Sequence, residues 1–213
     1  MKNSYKDKWN EMHKEFSKNN NNILKYDSWL DEFSNIIDNV KSEIVDLGCG
    51  VTGNNTLYLL EHKKQVISCD FAEEALKVIE NNIPNSKTIC FDMTERFPFE
   101  DNFTELVIAD LSLHYFSKET TKNIINEIKR VLKPNGYLMF RVNSVNTAEY
   151  KNIVGEEIEE KFFSTKGIEK RFFDEEDIRE FFKEWEIECI TEENMNRWND
   201  DKVIWKCVVK SIK

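Results

Sequence analysis

The chain has 213 residues and a formal net charge of −10, with 40% hydrophobic and 33% charged residues. That length suits one domain, residues 1–213, with a sizeable core, and the composition excludes a disordered or fibrous chain. No apolar run approaches the roughly 20 residues of a membrane helix, and the acidic total argues against nucleic acid as a partner.

The opening residues lead into Trp9, Glu11 and His13 rather than an apolar core, so no secretory signal and a cytoplasmic location are expected. Cys49, Cys69, Cys90, Cys189 and Cys207 show no C-x-x-C spacing and are expected to be reduced thiols. The three histidines, His13, His62 and His114, are far apart, and no metal site is expected.

Residues 1–26 read as an N-terminal segment with a short amphipathic helix around 4–17, followed by the break Asn19-Asn20-Asn21-Asn22. The helix either packs outside a sheet or forms a flap, with Tyr5 or Trp9 shielding a ligand. Trp29, Leu30, Phe33, Ile36, Ile37 and Val40 recur at helical spacing over 27–40, and Asp27 is the candidate N-cap. A strand over 43–47 then runs into Gly48-Cys49-Gly50-Val51-Thr52-Gly53, and a helix pattern follows from Thr56.

Strand, glycine turn and helix is the layout of a nucleotide-cofactor loop. Gly48-x-Gly50-x-x-Gly53 also matches the dinucleotide spacing, but Asp46 just before it is badly placed for a pyrophosphate. A carboxylate there suits a cationic cofactor end, such as the ammonium and sulfonium of S-adenosylmethionine.

The second strand, 65–69, ends at Asp70, and a helix over 72–82 stops before Pro84. An acid about 20 residues beyond the first glycine is where a ribose is gripped in such folds, and Phe71 follows it. Asp70 equally suits an N-cap for that helix. A third strand, 86–91, leads to Asp92 and Met93, which suit an adenine. The fourth, 105–109, is continuously apolar from Leu106 to Ala109, as in a buried parallel strand, and ends at Asp110-Leu111. Ser117 is the candidate N-cap of a helix over 118–132, which Pro134-Asn135-Gly136 ends, and the fifth strand is 137–142.

Residues 143–173 show no clean period and read as a substrate lid, or as a charged helix on the sheet edge. Asp174 caps a helix over 175–184. Strands 186–190 and 203–209 close the chain, with a long linker at 191–202. The alternation predicts an α/β, Rossmann-like doubly wound sheet with helices on both faces and its site at the strand carboxyl ends.

Val45-Asp46-Leu47-Gly48-Cys49-Gly50, Asp70, Asp92-Met93, the run Leu106 to Phe116, and Leu132-Lys133-Pro134-Asn135-Gly136-Tyr137-Leu138 stand in an order that resembles class I S-adenosylmethionine-dependent methyltransferases. The resemblance implies a seven-stranded sheet of order 3-2-1-4-5-7-6 with the last strand antiparallel. It implies that Gly48, Cys49 and Gly50 lie against the methionine part and that Asp46 orients that loop and the ammonium. Asp70 would hold the ribose, Asp92 and Met93 the adenine, and Asp110 and Leu111 the methionyl group through the main chain. The family's third glycine usually follows the second more closely; the spacing here implies a loop one residue longer, so the resemblance assigns no role to Thr52, Gly53 or Asn54.

The implied reaction is in-line attack on the sulfonium methyl by a small-molecule acceptor, leaving S-adenosylhomocysteine, with catalysis mainly from positioning and desolvation. His114 is the candidate base. Tyr115, Tyr150, Arg171 and Arg141 are candidates for the substrate side. The rivals are a nicotinamide-dependent oxidoreductase, on the literal glycine spacing, and a non-catalytic cofactor-binding protein of the same fold.

Overall fold

In a computed structural model, residues 2–19, 27–84, 86–195 and 202–213 are described. The order is α1 (Lys2–Asn19), a 3-10 segment (Ser28–Phe33), α2 (Ser34–Asn39), β1 (Ile44–Leu47), α3 (Asn54–Glu61), β2 (Val66–Asp70), α4 (Glu73–Asn82) and β3 (Lys87–Cys90). Then come β4 (Thr104–Asp110), a 3-10 turn (Leu113–Tyr115), α5 (Lys118–Val131), β5 (Leu132–Asn143), α6 (Ala148–Lys151), β6 (Glu156–Glu159), β7 (Phe162–Thr165) and β8 (Ile168–Arg171). The chain closes with α7 (Glu175–Phe181), β9 (Trp185–Met195) and β10 (Lys202–Ser211).

Seven strands form one sheet in the order β3-β2-β1-β4-β5-β10-β9, with β10 antiparallel to both its neighbours. This is the expected order, 3-2-1-4-5-7-6. Every residue of β1 and β2 is buried, so their side chains alternate between two cores rather than between core and water. Ile44, Leu106, Ile108 and Met139 face the 28–39 segment and α3; Val45, Leu47, Val107, Ala109 and Phe140 face α5 and α7.

The caps fall where local chemistry put them. Asp27 accepts from the Trp29 amide, Ser117 from Thr120, and Asp174 forms a capping box with Asp177. The break at 19–22 lies almost wholly outside the described residues.

Two expectations change. Residues 143–173 are neither aperiodic nor a helix on the edge: β6, β7 and β8 form an antiparallel sheet of their own. Its strands are short and rich in exposed Glu and Lys, so no apolar alternation marks them. The segment begins and ends at one place, since Phe173 donates to the Asn143 carbonyl and Val145 to that of Phe173. The linker at 191–202 is also shorter than expected. β9 continues to Met195 through Glu192, Glu193 and Asn194, whose polar side chains suit a sheet edge.

Candidate functional site

The carboxyl ends of β1, β2 and β4 open into a cavity of about 1070 Å³. Small-ligand pockets run to roughly 300–1,000 Å³, so there is room for a cofactor and an acceptor together.

The glycine turn forms one wall. Gly48 and Gly50 have φ of 73° and 58°, the left-handed region. A Cβ on Gly48 would stand 2.5 Å from the Ser112 Cβ, whereas one on Gly50 would meet nothing within 4 Å. Both the Gly48 and Cys49 amides donate to the Cys69 carbonyl, so neither is free for a phosphate. Gly53 caps α3 in the left-handed conformation. The longer loop thereby brings Thr52, Asn54 and Asn55 into the cavity wall, although the sequence pattern assigned no contact to Thr52 or Asn54.

Asn54 is 3% exposed, and both its amide oxygen and its amide nitrogen lack a hydrogen-bond partner. Leaving such a group unpaired costs about 1–3 kcal/mol, which a polar ligand would recover. No signal in the sequence marked it, since its orientation follows from the Gly53 turn.

Asp70 lines the cavity. Its two oxygens accept from Gly50 N at 3.0 Å and Ala72 N at 2.9 Å, tying the glycine loop to the start of α4. Each oxygen keeps a lone pair for a ligand hydroxyl. Burial pushes its pKa up, and His13 opposes the rise. Phe71, Asp92, Met93, Asp110 and Leu111 also line the cavity. Leu111 sits at φ 54° with its amide on the Arg141 carbonyl, a strained conformation that the β4–β5 pairing holds.

The cover comes from two distant segments. Tyr5, Trp9 and His13 lie one turn apart on α1 and face the cavity. Trp9 meets Tyr115 edge-on at 4.9 Å, and Tyr5 and Trp9 both lie about 6.3–6.4 Å from Phe71. Gly167 and Glu169 contribute from the β7–β8 turn. Asn10 accepts from Glu74 N, Lys6 pairs with Glu73, and Lys8 donates to the Lys166 carbonyl, so α1 is fastened to both α4 and the β7–β8 turn. His13 and Glu169 went unassigned in the sequence because nothing local says which way they point.

Five of the residues assigned from sequence stand elsewhere. Asp46 is 1% exposed and outside the cavity wall; it accepts from Thr56 Oγ1 at 2.8 Å and Asn55 Nδ2 at 3.3 Å. Burial, with Asp110 and Asp70 nearby, raises its pKa to about 7. It fixes the first turn of α3 rather than meeting an ammonium directly.

His114 is likewise buried outside the wall, with Nδ1 unpartnered. Burial pushes its pKa well down, and Lys202 and Lys170 add to the effect. It packs beside Tyr115 and is not placed to take a proton from a ligand in the cavity.

Tyr150 packs on Phe163 and Phe172 inside the lid. Arg171, 4% exposed, donates to the Phe116 and Glu160 carbonyls and pairs with Glu159, which pins the lid to the β4–α5 loop. Arg141 is 2% exposed, grips Asp110 at 2.7 and 2.8 Å, pairs with Asp27 at 2.8 Å and stacks on Trp29. Burial alone would lower its pKa, but the two carboxylates outweigh that and raise it. Tyr115 does line the cavity.

The donor set fits a cofactor with a cationic amino-acid end and a ribose. Lys6, already paired with Glu73, is the only Lys or Arg of the wall among the described residues, so these offer a pyrophosphate no free counter-charge. The unpartnered Asn54 amide suits an amino-acid carboxylate or ammonium, and Asp70 suits a diol.

Residues 45–140 match the family described as a methyltransferase domain. The putative methyltransferase YqeM of Bacillus subtilis is 37% identical over 110 residues, 49% of this chain and 43% of the relative. The chain thus spans less than half the length of that relative. The tRNA N(3)-methylcytidine methyltransferase trm141 of Schizosaccharomyces pombe is 26% identical over 92% of this chain and 85% of its own. A solved S-adenosylmethionine-dependent methyltransferase from Methanosarcina mazei has the same fold, with a TM-score of 0.72 at 20% identity over 81% of this chain and 93% of that one.

These relatives correct one expectation. The net charge of −10 argued against a nucleic-acid partner, yet proteins named for methylating tRNA cytidine match this chain, one of them nearly end to end. A sum over the whole chain says little about the surface around one cavity. They also favour the methyltransferase reading over the nicotinamide one. No described helix is long and apolar enough to cross a membrane.

Proposed function

We propose that the chain is a class I S-adenosylmethionine-dependent methyltransferase, a reading supported by the match of residues 45–140 to a methyltransferase domain and by the fold, and that it transfers the cofactor's methyl group to an acceptor held under α1 and the β7–β8 turn. One observation carries this reading: a single cavity joins the strand tips to an aromatic cover and contains an unsatisfied amide, Asn54. The whole chain, 1–213, works as one unit in which α1 and the 143–173 lid close over the strand tips.

S-adenosylmethionine, when bound, supplies a methyl group made electrophilic by the sulfonium. The chain's residues do the rest by holding and enclosing it. Asn54 and the Gly48–Gly50 turn receive the methionine part, Asp70 the ribose, and Phe71, Asp92 and Met93 the adenine. Trp9 and Tyr115 turn ring faces and edges to the cationic centre and keep water away. Since the methyl is already activated, orientation and desolvation suffice, and no side chain need act as base.

A small molecule that fits beside the cofactor is one acceptor consistent with the volume. A second reading, a base presented by tRNA, is favoured by the likeness to the fission-yeast protein over 92% of this chain. Calorimetry with S-adenosylhomocysteine tests the shared premise, and absence of binding at millimolar concentration would end it. Transfer of labelled methyl to a metabolite extract and, separately, to unfractionated tRNA then assigns the acceptor.

A further inference from the structure

The part of the cavity away from the strand tips has a composition of its own. Tyr5, Trp9, Tyr115 and Phe116 give it aromatic walls. Its polar groups are few. Ser117 and Thr120 are bound to one another at the start of α5, and Lys6 is paired with Glu73. Glu169 remains. It is an exposed residue of the cavity wall, and its carboxylate makes no hydrogen bond or ion pair to another described residue. Burial raises the Tyr5 phenol, a hydrogen bond to Trp9 opposes the rise, and the Glu169 charge adds to it.

The position of Glu169 is fixed by the turn before it. Thr165 pairs with Ile168 across Lys166 and Gly167, whose φ values of 52° and 76° make a two-residue hairpin loop with both residues left-handed. Lys8 of α1 holds the Lys166 carbonyl from the other side. A carboxylate is thus fastened beside an aromatic slot, and the nearby Lys8 ammonium is engaged by the Lys166 carbonyl.

An ionised carboxylate only accepts hydrogen bonds, so it selects an acceptor bearing N–H. An aromatic slot selects a flat ring. A nucleophile methylated without a base must carry a lone pair and need not lose a proton. A ring nitrogen next to an exocyclic amino group meets all three conditions.

Resting on the methyltransferase reading, we propose that the acceptor is a neutral amino-substituted heteroaromatic ring, methylated on a ring nitrogen, and that Glu169 reads its amino group. The ring nitrogen's lone pair forms the new N–C bond while the C–S bond breaks and leaves its electron pair on sulfur. The positive charge passes from sulfonium to ring, and no proton is released. Glu169, hydrogen-bonded to the amino group, stabilises the charge that grows on the ring. The ring is free in solution or is a base carried by RNA; the chemistry is common to both.

The test uses the full-length protein with cytidine, adenosine and unfractionated tRNA as probes, beside a phenolic probe that offers only oxygen. Calorimetry with S-adenosylhomocysteine is run first on the wild type and Glu169→Gln. Unchanged cofactor affinity in the variant is expected, because Glu169 lies away from the strand tips. Methyl transfer to an amino-ring probe is expected from the wild type, with a product that is retained on a cation exchanger at a pH where the parent is not. In Glu169→Gln, kcat/KM for that probe should fall about 100-fold, and binding of the probe to the homocysteine-loaded protein should weaken about 10-fold.

Methylation of tRNA alone, or of the nucleoside as well, tells the two sources apart. Transfer only to the phenol, transfer to no amino-ring probe although the cofactor binds, or equal rates in wild type and Glu169→Gln would each overturn the assignment. Failure to bind S-adenosylhomocysteine would instead remove the methyltransferase reading on which it rests.

Discussion

β1, β2 and β4 deliver Gly48, Asp70 and Leu111 to the cavity from strands buried on both faces, whereas Trp9 and Glu169 arrive on the outer helix α1 and on the short strand β8. The floor is held by neighbours in the sheet and by a buried ion triad, Asp27–Arg141–Asp110. The cover is held by surface contacts between distant residues: Lys6 with Glu73, Lys8 with the Lys166 carbonyl, Lys170 with Glu149. Exposed pairs of that kind contribute about 0–1 kcal/mol each. The floor is therefore rigid and costly to disturb, and the cover is cheap to move.

The largest effect should come from the floor. Arg141→Met leaves Asp110 and Asp27 facing one another without their cation, and breaking a buried pair in this way costs about 3–5 kcal/mol. Urea unfolding should show that loss. A loss below about 1 kcal/mol would mean that the floor is no stiffer than the cover.

Next comes a pH effect confined to the floor. Asp46 ionises near 3.8 when unfolded and at about 7 when folded. Between those values the unfolded chain has lost a proton that the folded chain keeps. Stability should thus fall as pH rises from about 4 to about 7, by up to roughly 4 kcal/mol, and then level off. Asp46→Asn should flatten that slope in unfolding measurements across pH. An unaltered slope would show that Asp46 is ionised in the folded protein.

The smallest effect on stability should come from the cover. Trp9→Ala removes edge contacts with Tyr115 and Phe71, each worth about 0.5–1.5 kcal/mol. S-adenosylhomocysteine affinity should fall about 10-fold, while the urea midpoint of the ligand-free protein stays close to the wild-type value. A large drop in stability would make α1 part of the core rather than a cover.

The same contrast explains what could be read from the sequence. The strands themselves, the helix caps at Asp27, Ser117 and Asp174, and the strand-tip residues Gly48, Asp70 and Asp92 follow from local pattern, because each strand of the floor is a short apolar run ended by a turn. The strand order and Leu111 come only from the resemblance to class I methyltransferases. The cover has no such pattern. Its three-stranded sheet is built from charged, exposed strands, and it is held by contacts up to 158 residues apart. Side-chain direction was legible in neither part. His114, Tyr150, Arg171 and Arg141 have the chemistry of a site but point into packed surroundings. Asn54 and Glu169 look ordinary in the sequence but are turned into the cavity by the left-handed residues before them.

The claim that the strand-tip cavity is built for S-adenosylmethionine is tested most directly by comparing wild type and Asn54→Leu in calorimetric titrations with S-adenosylhomocysteine. The Asn54 amide has no partner in the folded chain, so replacing it should leave stability unchanged or slightly higher, while removing a hydrogen bond to a charged ligand group worth about 1.5–3 kcal/mol. One ligand per chain should bind the wild type, and the variant should bind at least about 10-fold more weakly without loss of stability. Equal affinity in the two proteins, or no binding to either, would contradict the account.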